Sequence, residues 1–317
     1  MKISQVSLLS GRAASLLAKM LEIAPILQFA EFKLDPSSFL SFKDSDTFTS
    51  TAVRAENAAV QKDNQVPVSA AIALALYGRE IGIDDVRKLD RNVGQSPAGL
   101  RLFSDRRLAG LAVKLAQEIQ DHILVGTGAT NQMLGLSVFV KDATSGGQTS
   151  ALGFTTTELA AMNSQLSLQI NTTANQDTFI ETLYKKIAEV PGANAILCNA
   201  NLSARLSSMA KRVGAAGESM SSFGTPVMTF NNVPIVPLPT TALLQTESDG
   251  TNSDCCSAYV LRFAEELGVA LSTNSGFYFQ DFENSETYPQ GKARLQFFLN
   301  LAVERVDAMR RISRIRL

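Results

Sequence analysis

Residues 104–128 read SDRRLAGLAVKLAQEIQDHILVGTG, and the reading of this stretch decides the fold. Leu108, Leu111, Ala112, Leu115, Ile119 and Ile123 recur at three- and four-residue spacing, the period of a helix that buries one stripe. Ser104 stands at an N-cap position, Asp105 follows in the first turn, and Gly126 and Gly128 close the pattern, as caps and C-terminal glycines do. About twenty residues of helix span ~30 Å, enough for a strut running the length of a domain.

Upstream of this helix, Val66, Val68, Ala70, Ile72, Leu74 and Leu76 alternate, which predicts a strand with one buried face. The preceding residues 35–65 are small and polar, and the β-branched stretch Thr47 to Val53 lacks the large apolar side chains of a core,. Together they predict a long ribbon from about Asp44 to Tyr77. Farther out, Ala13, Ala14, Leu17, Met20, Leu21 and Ala24 fall near helical spacing until Pro25, forming a short amphipathic arm. Arg12, Lys19 and Glu22 interrupt any apolar signal-peptide core,, and no run of about 18 uncharged apolar residues could span a membrane.

Downstream, Asp142 to Gly153 reads as a loop and Thr155 with Glu158 as a capping box,. Phe179, Ile180, Leu183, Tyr184 and Ile187 mark a helix stopped by Pro191 and Gly192, and the strand Ala195 to Cys198 precedes a helix through Leu202, Leu206 and Met209,. Val227 to Leu238 predicts a hairpin about Asn231 and Asn232, since asparagine tolerates positive φ. Tyr259, Leu261 and Phe263, then Phe277 and Phe279, then Leu295 to Val303 alternate as strands,. Helices come first and strands last, which indicates an α+β fold.

The 317 residues, 45% hydrophobic and 19% charged, describe an ordinary folded protein with no compositional sign of disorder. A formal net charge of -1 encodes no global attraction to nucleic acid or anionic membrane, so any basic surface is local. Three cysteines, Cys198, Cys255 and Cys256, make no disulfide framework and suit synthesis in a reducing cytosol. Cys198 reads as core, and Cys255 with Cys256 as reduced bystanders in a polar loop.

Catalytic inventories come back empty. His122 is the single histidine, beside an apolar stripe and with no second imidazole for a metal pair. Gly126-Thr127-Gly128 follows a helix where a dinucleotide fingerprint needs a strand, and the chain has no Walker lysine and no nucleophile elbow. The mixed-charge run Asp84 to Arg91 is expected to be solvated surface. The reading is therefore of a non-enzyme needing no cofactor and no metal. Arg305, Arg310, Arg311, Arg314 and Arg316 crowd the C-terminus, leaving two readings: contact with nucleic acid, or a strand edge making intersubunit ion pairs. The alternation with Ile312 and Ile315 favours the second.

In order along the chain, these parts resemble the major capsid proteins of tailed bacteriophages, whose Hong Kong 97-type fold is shared with encapsulin nanocompartments. The segments carrying the resemblance are Val53-Arg54-Ala55-Glu56-Asn57, Ile83-Asp84-Asp85, Ile123-Leu124-Val125-Gly126-Thr127-Gly128 running to Leu134-Gly135-Leu136, and Thr225-Pro226 through Phe230-Asn231-Asn232-Val233-Pro234-Ile235. The resemblance implies an N-terminal arm (1–43), an extension loop (44–80), a peripheral domain built on a spine helix (81–191 and 293–317) and an axial domain (192–292).

It further implies self-assembly into hexamers and pentamers of an icosahedral head enclosing double-stranded DNA, in a virion assembled in host cytoplasm. Separate scaffolding, portal and decoration proteins are implied partners, and packaged DNA a non-specific one; no membrane is involved. Expected inter-subunit contacts are Arg54, Glu56 and Lys62 on the loop and Arg310, Arg311 and Arg314 on the last strand. Some family members cross-link a loop lysine to a distant asparagine. Here Lys62 is the placed lysine but Asn300 lacks the family context, so separable subunits are expected. No charged helical prosegment precedes the arm, which would lay its apolar face on a neighbour, so a mature chain beginning at Met1 or Lys2 is expected. The alternatives are an encapsulin-type shell, or a cytosolic hydrolase or binding protein.

Overall fold

One long helix, a five-stranded sheet, a seven-stranded sheet and a two-stranded ribbon organise the described residues. The computed structural model describes residues 11–34, 40–43, 56, 68–71, 75–84, 97–129, 132–142, 149–220, 226–239, 243, 246–274, 277–284 and 290–317. Helix α1 (Gly11–Ile23) and the single turn α2 (Ile26–Phe29), separated by Pro25, lead into β1 (Phe32–Leu34). Then come β2 (Leu40–Lys43), β3 (Val68–Ala71), β4 (Ala75–Asp84) and the spine helix α3 (Pro97–Val125). A short α4 (Leu136–Phe139) and α5 (Thr156–Ala161) precede β5 (Asn163–Gln169), α6 (Thr173–Ala188), β6 (Ala195–Asn199) and α7 (Ala200–Arg212). The remainder is strands: β7 (Ala216–Met220), β8 (Pro226–Phe230), β9 (Val233–Leu238), β10 (Cys256–Leu261), β11 (Val269–Thr273), β12 (Phe277–Asn284), β13 (Gln290–Val303) and β14 (Met309–Arg316).

The spine helix runs 29 residues, about 43 Å at 1.5 Å per residue. It begins at Pro97 rather than at Ser104, which lies inside it. Proline suits the first helical position because its missing N–H would be unpaired there anyway, so the cap signal at Ser104 was outcompeted. Leu108, Ala112, Leu115 and Ile119 are fully buried, as the stripe predicted, whereas Leu111 is only partly buried.

Helix α1 supplies the largest correction. Leu16, Leu17, Met20, Leu21 and Ala24 are buried in the chain's own core beside α3, so the amphipathic arm seats on its own subunit and not on a neighbour. Hydrophobic period reports that a face is buried but not by which chain. The predicted strand from Val66 to Leu76 is also two strands with different partners. β3 pairs with β2, while β4 pairs antiparallel with β13 from Ala75 opposite Leu299 to Asp84 opposite Gln290. The body of the expected ribbon, including Arg54 and Lys62, lies outside the described residues; Glu56 is exposed in a turn.

Strand β13 is the axis of a five-stranded sheet, ordered β1-β11-β13-β12 with β4 also on β13. The second sheet has seven strands in the order β5-β14-β10-β6-β9-β8-β7. One face of it, with Ile196, Cys198, Ile235, Val260, Ile312 and Ile315, packs with residues of α6 and α7. Its other face, with Leu197, Val236, Tyr259 and Leu261, joins the core that contains α3. The sheets cut across the boundaries drawn from sequence: β11 and β12, placed in the axial segment, pair into the sheet of β4 and β13, and β14 joins β10 and β6. Alternation gives a strand's buried face, not its partner.

The end of α3 depends on two glycines in contact. Gly126 N–H donates to the His122 carbonyl at 2.9 Å and Gly135 N–H to the Gly126 carbonyl at 2.8 Å. A Cβ at Gly135 would stand 2.4 Å from the Gly126 nitrogen, and one at Gly126 would stand 2.3 Å from the Met133 carbonyl oxygen. Backbone occupies both positions, so no side chain fits and the chain can double back onto α4.

Truncating Leu115 to alanine is expected to cost about 2–5 kcal/mol, Leu111 to alanine less, and exposed Lys114 to alanine within about 0.5 kcal/mol. Urea unfolding of the three variants checks this. Equal losses for Leu115 and Lys114 would refute the phase of the helix.

Candidate functional site: a buried charge centre and its surroundings

The C-terminal arginines, expected on a strand edge, sit instead on an interior strand, since β14 lies between β5 and β10. The reason is a pair of bulges. Ile312 opposes Ala258 and Ile315 opposes Cys256, so β14 spends three steps where β10 spends two. Residues three apart in a regular strand face opposite ways, but the extra residue turns Ile312 and Ile315 to the same core,. Arg314 carries the bulge at φ 62°, and Ser167 in neighbouring β5 sits at φ 45°.

The same displacement gathers Arg311 and Arg314 around two acids. Arg311, 3% exposed, donates from Nη2 to Glu247 Oε1 at 2.6 Å and from Nε to Ser257 Oγ at 3.0 Å. Its Nη1 donates to the carbonyls of Ser137 and Val140 just after the α4 turn begins. Ser257 Oγ in turn donates to Glu247 at 2.6 Å. Arg314 Nε bridges both oxygens of Asp142 at 3.0 and 3.1 Å, and that carboxylate is 1% exposed. The Arg311 guanidinium lies 5.5 Å from the centroid of the Tyr259 ring. Burial pushes the Tyr259 hydroxyl up to about 12, so the ring stays neutral beside the cation. Two cations and two carboxylates thus neutralise one another in pairs, as buried charges must. The arrangement ties β14, β10, the loop at Glu247 and the segment after α4 together.

Arg310 is bound to Glu189 at 2.8 Å and to the Val306 carbonyl at 2.6 Å. All three arginines expected at an intersubunit contact are therefore engaged within the chain, and Arg311 has no surface to offer. Sequence reading missed Asp142 and Glu247. Their partners are 172 and 64 residues away, and no local pattern signals such a pairing. Cys255 and Cys256, read as loop residues, are fully buried, with Cys256 opening β10. Burial pushes Cys198 up to about 12 and raises Cys255 and Cys256 as well, which leaves the thiols unreactive. Asn300 is buried in β13 with Oδ1 accepting from Leu301 N–H at 2.7 Å, a poor position for capture by another chain's lysine.

His122 works as a structural contact. Its Nδ1 is 2.9 Å from the Tyr77 hydroxyl, joining the C-terminal end of α3 to β4 next to the Arg79–Glu118 ion pair. Among the described residues no group of three or more His, Cys, Asp or Glu could hold a metal, and no helix is long and apolar enough to cross a membrane. What the surface does offer is a sheet face. Leu76, 58% exposed, opposes Phe298 across β4 and β13, and Tyr278, 44% exposed, opposes Gln296 across β12 and β13.

No family model and no curated protein sequence matches the chain. Solved structures do. The capsid of cyanophage A-1(L) superposes with a TM-score of 0.60 at 11% identity, covering 92% of each chain. The capsid of a native GTA particle gives 0.57 at 11% identity over 97% of this chain and 91% of that one. The SrpI encapsulin from Synechococcus elongatus PCC 7942 gives 0.54 at 13% identity over 92% and 87%. The chain has the α+β fold of these capsid-shell proteins, the Hong Kong 97-like fold expected from sequence.

Replacing Arg311 with methionine would strand Glu247 in the interior and should cost about 3–5 kcal/mol. Arg310 to alanine, which breaks a partly solvated pair, should cost about 1 kcal/mol or less. Chemical denaturation of both variants tests the distinction, and equal losses would contradict the buried role given to Arg311.

Proposed function

We propose that the chain is the major capsid protein of a tailed phage, a shell subunit that self-assembles around double-stranded DNA. The observation carrying this reading is the extent of the fold match, 92% of both chains for the cyanophage A-1(L) capsid. A likeness confined to one subdomain would leave room for a different molecule; here spine helix and both sheets take part. Physical economy supports the same reading. The chain invests its buried charges in holding strands together, its thiols are inert, and its single imidazole is a packing contact.

Assembly is the chemistry that such a subunit performs. A two-stranded ribbon such as β2–β3 is marginal alone in water, so the segment between its strands, residues 44–67, gains support from neighbouring subunits. Many moderate contacts closed by symmetry then produce a strong shell. Hexamers and pentamers, scaffolding, portal and decoration proteins, and packaging in host cytoplasm belong to this reading. The intersubunit roles of Arg54, Glu56, Lys62, Arg310, Arg311 and Arg314 also belong to this reading, with Arg311 offering the least surface of the last three. The encapsulin-type shell is the second reading, favoured by the SrpI match.

Negative-stain microscopy of the purified protein should display closed shells, and a homogeneous monomer at high concentration would end the proposal. Nuclease-protected, genome-length DNA inside particles supports the phage capsid, and its absence with enclosed protein cargo supports the encapsulin. Deleting residues 44–67 is expected to leave a folded subunit with the parent's thermal transition but no shells; complete shells at normal yield would remove the extension loop from the assembly.

A further inference from the structure

Many of the described cations are paired. Lys185, Arg212, Lys292, Arg294 and Arg310 each sit on a carboxylate. On the sheet face of β4 and β13, Arg294 and Lys292 even share Glu80 and hold its carboxyl below the usual range. The solvent side of the spine helix is different. Arg106 and Lys114 are exposed on α3, and Lys19 is exposed on the α1 helix packed beside it. None of the three has a carboxylate within ion-pair distance among the described residues.

Residues 106, 110, 114 and 117 fall on one helix face. The residue between the two cations is Gly110, exposed, and a Cβ there would meet nothing within 4 Å among the described residues. Glycine inside a helix costs stability relative to alanine, and no packing among the described residues calls for it at this position. What it provides is a smooth gap between two long cationic side chains. Gln117 continues the stripe, which ends one turn farther on at the half-buried Asp121. Arg106 and Lys114 are eight residues apart, about 12 Å along the axis, comparable to the ~12 Å width of the major groove of duplex DNA.

We propose that the open face of α3 is a seat for the phosphate backbone of duplex DNA, with Arg106 and Lys114 as its contacts and Gly110 permitting close approach. The inference rests on the shell reading and gives it a side: the face of α3 turns toward the packaged duplex. It also relocates the basic surface sought in the sequence, since the C-terminal arginines are consumed inside the fold. Binding would be independent of sequence, because backbone contacts carry no base readout.

The test uses the full-length chain as unassembled subunits, separated from shells by size-exclusion chromatography, with fluorescence anisotropy of a labelled 30-base-pair duplex across a salt series. The double variant Arg106→Glu/Lys114→Glu is compared with wild type and with Lys211→Glu, an exposed cation on α7. The double variant is expected to lose about tenfold or more in affinity at low salt, with a log–log salt slope shallower by about 1.8 for two lost phosphate contacts. Lys211→Glu should bind as wild type. Arg106→Gln/Lys114→Gln, which removes charge without reversing it, replaces the double variant if that one is misfolded. Unchanged binding in a folded variant, an equal loss in Lys211→Glu, or displacement of the duplex by an equal charge concentration of polyglutamate would overturn the assignment. The shell reading is judged separately by microscopy of the same wild-type sample, whatever the duplex result.

Discussion

The bulge at Arg314 is the constraint from which much of the seven-stranded sheet and its core follows. A regular β14 would send Ile312 and Ile315 to opposite faces and separate Arg311 from Arg314. With the bulge, both isoleucines enter the core shared with α6 and α7, and both arginines reach the acids on the other side. A left-handed backbone at a non-glycine residue is unfavourable, and it persists here because Asp142 and Glu247 over-determine it. The pairing also explains why a C-terminal strand so rich in arginine can lie inside a sheet. Every charge that β14 brings into the interior meets one supplied by a loop.

The five-stranded sheet relies on a different device. Strand β13 is long enough to be gripped by β4 and β12 near its start and by β11 near its end. Helix α3 lies along the same layer, with Tyr77–His122 and Arg79–Glu118 fixing it to β4. Two long elements held side by side make a plate whose faces differ. One exposes cations on a helix with no carboxylate beside them among the described residues; the other exposes Leu76 and Tyr278 on a sheet where Arg294 and Lys292 share Glu80.

Signals that act within a few residues were readable from sequence. Thr155 and Glu158 form the reciprocal capping box they spell, Asn231 and Asn232 both adopt positive φ between β8 and β9, and Leu108 to Ile123 mark the buried stripe of α3. The family resemblance, which rests on the order of such signals, was legible for the same reason. Pairing across long separations was not. Nothing near Asp142 announces Arg314, and nothing in the alternation of residues 66–76 says that β3 and β4 take different partners. The arm failed in a further way: Leu17 and Met20 announce burial, but a periodic pattern is indifferent to whether the covering surface is the same chain or another.

Strand β13 finally has a mechanical meaning. A strand with backbone hydrogen bonds on both sides cannot kink without breaking several at once, so it behaves as a torsion bar. The ribbon of β2 and β3 precedes Ala75, which opposes Leu299, so twist entering there meets β13 one residue from Asn300, where β11 takes hold. From β11 it passes to β1 and so to α1, which lies against the spine. The ribbon and α1 are thereby coupled through a single strand rather than through the sheet as a whole.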